Sequence, residues 1–118
     1  MLSLSKAEKL MREAVKDLEI GSYNKAASAA YFSLRMFSEF ILLKGKLTIP
    51  RRDDKLANLI ENIGLRELAE TLRYLYDLRK KADYSSQEVN DLEAGEAVSQ
   101  ASKLLEKIKQ ILDSINLW

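Results

Sequence analysis

Only five residues in this 118-residue chain are of the two types that most often interrupt regular backbone: Pro50 and the glycines at 21, 45, 64 and 95. The segments between them are long, and that constrains the fold class more than any other feature. Within them apolar residues recur at spacings of three and four, the helical period, rather than in strand-like alternation.

A first helix is predicted from Leu4 to Ile20, with Ala7, Leu10, Met11, Ala14 and Leu18 on one face and Gly21 at its end. Ser5 and Glu8 have the spacing of a capping box. Ser22 is placed to cap a second helix that runs to Lys44 and stops at Gly45. "KGKLTIPRR" then reads as a connector, because Pro50 keeps Ile49 out of helical geometry. Asp53 or Asp54 can cap a short third helix carrying Leu56, Leu59, Ile60 and Ile63, which Gly64 ends. A fourth helix is expected from Leu65 to Ala82, followed by the loop "DYSSQEV". Asn90 with Glu93 forms a second capping-box spacing, opening a fifth helix to Asn116.

The fifth helix has a narrow seam: Ala94, Ala97, Ala101, Leu104, Ile108, Ile111 and Ile115. The second is apolar around most of its circumference, with Ser28, Arg35 and Glu39 confined to one strip. A helix of that kind is buried on more than one side. In a small protein one side can face the core and another a second subunit. Met36, Phe37 and Phe40 are the expected dimer-interface residues. The predicted fold is all-α, an antiparallel up-and-down four-helix bundle of helices 1, 2, 4 and 5, with helix 3 as a short cross-piece. Residues 1–118 are expected to form one domain.

The chain contains no cysteine and no histidine. Disulfides, iron–sulfur clusters, Cys/His zinc sites and histidine bases are therefore excluded. No metal or cofactor is expected. The adjacent Asp53 and Asp54 suit helix capping better than catalysis or metal binding. Net charge is +1, but residues 44–84 carry ten basic and seven acidic side chains, and residues 85–118 three and six. The uninterrupted apolar runs are short and the N-terminus lacks a signal-peptide pattern, so a cytoplasmic protein without a membrane span is expected.

Leu65, Leu68, Leu72 and Leu75 recur at helical spacing, and the next position in that series is Arg79. A buried arginine must be paired. Arg79 is therefore either a structural ion-pair member, with Asp77, Asp83 or Glu39 as partner, or a groove residue offering its guanidinium to phosphate. Tyr31 and Arg35, one turn apart, either stack on a base and hold its phosphate or form a bundle tyrosine beside a salt-bridged arginine. Arg73, Tyr76 and Lys80 are candidates to extend a basic groove, with Arg51 and Arg52 a further phosphate contact. Asp83 and Tyr84 either contact ligand or close the helix end. Trp118 is expected to pack on the bundle.

"GSYNKAASAAYFSLRMFSEFILLKG" resembles the second-helix stretch of the HEPN domain family, and "LYDLRKKADY" resembles the fourth-helix signature of its small prokaryotic members. The resemblance runs from about Ala7 to Leu112. It implies a bundle that dimerises through helices 2 and 4. Ribonuclease members carry an arginine followed a few residues later by a histidine, two copies facing each other across the dimer. Many small members pair with a minimal nucleotidyltransferase as a toxin–antitoxin system. Arg79 matches the family arginine, while the histidine position falls on Tyr84, Ser85 or Ser86. Tyrosine, with a pKa of about 10, is a poor base at neutral pH.

The expected function is thus binding of nucleotide, RNA or a partner nucleotidyltransferase without histidine-based catalysis. Ligand contacts are expected at Arg79, Asp83, Tyr84, Tyr31, Arg35 and Tyr76. The alternative is a ribonuclease with a variant Arg79/Asp83/Tyr84 site, in which Arg79 and Tyr84 are the catalytic candidates. A third possibility is an interaction module that only docks a partner.

Overall fold

The computed structural model describes residues 2–84 and 86–114, with side chains at 4–83 and 86–114. Five helices account for most of it: α1 (Leu2–Glu19), α2 (Tyr23–Lys44), α3 (Asp53–Asn62), α4 (Arg66–Tyr84) and α5 (Asp91–Ser114). They form the expected helical bundle, with α2 at its centre, packed against α1, α4 and α5, and α3 resting on α4.

The central position of α2 follows from its sequence. Ala26, Ala27 and Ala30 are fully buried and bring α1 close through its own Ala7 and Ala14. Leu34, Phe37, Phe40 and Leu42 fill the remaining interior faces. Two serines tolerate this burial because each finds a carbonyl. Ser33 Oγ donates to the Ala7 carbonyl of α1 at 2.6 Å, and Ser38 Oγ to the Leu34 carbonyl one turn back at 2.8 Å.

The all-round apolar surface of α2 is therefore covered largely by its own chain. This corrects the interface expected at Phe37 and Phe40, which are 0% and 3% exposed. Met36 is partly buried against the same core. By length and composition α2 is also apolar enough to cross a membrane, contrary to expectation. However, 56% of that stretch is buried inside the protein, and a core helix meets the same criterion.

Two capping expectations diverge. Asn90 and Glu93 form a complete capping box: Glu93 N–H donates to Asn90 Oδ1 at 2.8 Å and Asn90 N–H to Glu93 Oε1 at 3.1 Å. Lys81, reaching Glu93 at 2.8 Å, holds its carboxyl below the ordinary range, aided by that Asn90 bond. Ser5 and Glu8 form no such start, because α1 begins at Leu2 and Glu8 instead pairs with Lys109 of α5 at 2.6 Å. Residue 52, not Asp53 or Asp54, occupies the α3 N-cap. The α5 seam holds from Ala94 to Ile108, widened by buried Val98 and Leu105; Ile111 is exposed. Ile115, Trp118 and the predicted end at Asn116 lie outside the described residues.

Three helices end in the same turn, a Schellman motif closed by two backbone hydrogen bonds. In α1 these are Ser22 N–H to Asp17 O and Gly21 N–H to Leu18 O; in α3, Leu65 N–H to Ile60 O and Gly64 N–H to Glu61 O. The residue forced into left-handed backbone is Gly21 (φ 79°) in one and Gly64 (φ 101°) in the other. In α2 the bonds run from Leu47 N–H to Leu42 O and Lys46 N–H to Leu43 O. Here the left-handed residue is Lys46 (φ 58°), one position past Gly45. A side chain there costs about 1 kcal/mol relative to glycine.

Candidate nucleic-acid interface

The inward stripe of α4 runs Leu68, Leu72, Leu75 and then Leu78, all buried. Leu78, not position 79, takes the last core place. Arg79 consequently sits at the edge of the seam, its side chain 18% exposed. Its guanidinium lies over the Phe32 ring of α2, 4.7 Å from the centroid, and 5.8 Å from that of Tyr31. Arg79 Nε stands 3.3 Å from Asp83 Oδ2, and Ser28 Oγ donates to Asp83 Oδ1 at 2.9 Å. Beside it, the Lys80 ammonium lies 4.8 Å from the Tyr76 ring centroid and 3.9 Å from Asp77. Tyr31 packs between the two aromatic neighbours, 5.4 Å from Phe32 and 5.8 Å from Tyr76.

The α2–α4 face thus presents two cations, each over an aromatic ring. Phe32 is 38% exposed, so part of this residue reaches solvent beside the guanidinium that covers its ring. The Arg79–Asp83 pair is helical, spaced by four, and partly solvated. Such pairs contribute little to stability, and a phosphate offering bidentate bonds can displace the carboxylate.

Tyr31 and Arg35 do not join this surface. Tyr31 is 1% exposed and its hydroxyl donates to Asp53. Arg35 donates to the same Asp53 oxygen from Nη1 at 2.6 Å and to Glu39 from Nε at 3.1 Å. Its Nη2 reaches the carbonyls of Pro50 and Arg51 at 3.2 and 3.3 Å. This network latches the connector and the start of α3 onto α2. It answers two expectations at once: Asp53 is turned inward rather than capping, and Glu39 serves Arg35 rather than Arg79. Of the expected ligand contacts, Tyr31 and Arg35 thus have their polar groups engaged internally.

Burial, reinforced by the Asp53 hydrogen bond, pushes the Tyr31 hydroxyl well above its ordinary pKa. A raised value favours folding only while the unfolded tyrosine is also protonated. That stability is complete below about pH 10 and drains away as pH rises toward the native value. Tyr31→Phe is expected to cost about 1–2 kcal/mol at neutral pH. The gap from wild type should then narrow above about pH 10 in urea titrations. A gap that stays constant through that range would show that the hydroxyl is not protected.

Among the other candidates, Tyr76 and Lys80 lie on the Arg79 face. Arg73 turns away, pairing with Glu61 at 2.7 Å and Asn58 at 2.9 Å on α3. Arg51 is exposed and Arg52 pairs with Asp54 at 2.7 Å. The side chain of Tyr84 and residue Ser85 lie outside the described parts of the chain; Ser86 is exposed. The residues not anticipated are Phe32 and the Ser28–Asp83 contact. Their signal is the polar strip of α2: Phe32 follows Ser28 by four and precedes Arg35 by three, the one aromatic on that line. Among the described residues, no group of three acidic side chains is arranged to hold a metal ion.

A sequence model of the HEPN domain matches residues 1–111 of the chain. No curated protein matches it.

Proposed function

Because the chain belongs to the HEPN domain family, we propose that its α2–α4 face binds nucleotide or RNA, with Arg79 gripping phosphate and Phe32 offering a stacking surface. The observation that carries this is the Arg79 guanidinium lying over the partly exposed Phe32 ring beside a partly solvated carboxylate, Asp83. The protein acts as a cytoplasmic homodimer, two copies meeting along α2 and α4 so that both Arg79 residues line one groove. It works in a toxin–antitoxin type system with a minimal nucleotidyltransferase as partner. Histidine-based cleavage has no residue to perform it. Asp83, ion-paired to Arg79 and bonded by Ser28, is poorly suited to replace such a base.

Ligand linkage tests this. A ligand that binds only the folded state raises its melting temperature, by several degrees when in large excess over Kd. Mononucleotide or single-stranded RNA should stabilise the wild type and not Arg79→Met, and the RNA should be recovered intact. No stabilisation of the wild type by either ligand would leave a module that only docks a partner. Cleavage abolished by Arg79→Met would instead make it a ribonuclease.

A further inference from the structure

We infer that the connector between α2 and α3 is a second phosphate contact, making the ligand a strand of RNA several nucleotides long rather than a single nucleotide. This rests on the Arg79 face being the ligand site proposed above.

The first observation is Lys46. Of the three Schellman turns, two place glycine at the left-handed position and the third places a lysine there, with Gly45 immediately before it. The left-handed backbone is accepted at a position whose lysine side chain is exposed on the surface.

The second is the electrostatics of the connector. Lys44, Lys46, Arg51, Arg52 and Lys55 are all exposed. The two nearby acids do little to offset them outwardly. Asp53 is turned inward to Tyr31 and Arg35, and Asp54 meets Arg52 in an exposed pair that phosphate can replace.

The third is placement. Arg35 fixes the connector by its Pro50 and Arg51 carbonyls, so these cations are not on a loose loop. The ring of Tyr31 lies beneath Arg79, and its hydroxyl holds Asp53, the neighbour of Arg52. One tyrosine therefore separates the Arg79 face from the Arg52 end of the connector, with Lys46 farther along at the C-terminal end of α2. A mononucleotide offers its phosphate at one point; a strand offers one at every residue and can engage both.

The test measures anisotropy of a labelled single-stranded RNA of about 12 nucleotides over a range of salt. Mononucleotide binding is followed in parallel by calorimetry. Lys46→Gly relieves the strained backbone, so it should melt a few degrees higher than wild type while binding RNA about 5-fold more weakly near 0.1 M salt, with a log–log slope flatter by about 0.7. Arg51→Ser with Arg52→Ser should weaken RNA binding by about 25-fold and flatten the slope by about 1.4. Neither should alter mononucleotide binding, whereas Arg79→Met should weaken both ligands. Connector variants with wild-type RNA affinity and slope, beside a defective Arg79→Met, would overturn the inference and leave the Arg79 site standing. A wild type that binds neither ligand would overturn both.

Discussion

Phe37→Ala is expected to destabilise the protein by about 3–5 kcal/mol, read from urea or thermal unfolding. Phe37 is fully buried on the helix that touches α1, α4 and α5. Truncation there loses the transfer energy of the ring and leaves a cavity between elements that cannot all close in. Set against a total of about 5–15 kcal/mol, the loss takes a large part of the fold's stability. Phe32→Ala supplies the contrast. That ring is five residues earlier on the same helix but 38% exposed, so the cost should stay under about 1.5 kcal/mol while ligand binding weakens. Equal losses from the two substitutions would show that Phe32 belongs to the core and that the α2–α4 face is not open.

Arg35→Met should cost about 2–4 kcal/mol. Met keeps most of the aliphatic stem and removes every donor. Asp53 and Glu39 then lose their cation, and the carbonyls of Pro50 and Arg51 lose a shared donor. The three charged side chains are 15–26% exposed, so the penalty falls below that of a fully buried pair. Asp53→Asn in the Arg35→Met background should recover part of the loss, because it removes the stranded charge. A loss under about 1 kcal/mol, or a double variant worse than the sum of the singles, would mean that the latch does not hold the connector.

The helices were legible because their signals are local. Glycines near the helix ends, the period of three and four, and the Asn90–Glu93 spacing all act within a few residues. What could not be read was decided across helices. Ser5 and Glu8 have the same spacing as Asn90 and Glu93, yet Glu8 is taken by Lys109, about a hundred residues away in sequence. Asp53 has the position of a cap and is captured by Tyr31 and Arg35 instead. Periodicity shows that α2 is buried nearly all round. It does not show that three helices of the same chain do the burying, which is why periodicity alone assigns Phe37 and Phe40 to a partner. On α4 the period of 3.6 lets the stripe move from Leu75 to Leu78, leaving Arg79 at its edge. The choice between the two positions depends on where α2 presents Phe32.

Arg35 and Arg79, both arginines near the α2–α4 contact, thus have opposite roles, one a latch and one a ligand contact. The salt dependence of single-stranded RNA binding, with a thermal melt on the same samples of wild type and Arg79→Met, tests that division most directly. Asp83 keeps its Ser28 hydrogen bond and partial solvation after the substitution, so the variant should lose no more than about 1 kcal/mol of stability. It should bind RNA more weakly, with a slope flatter by about 0.7 for each phosphate it no longer neutralises. A large drop in melting temperature with unchanged affinity and slope would contradict the account, making Arg79 part of the architecture.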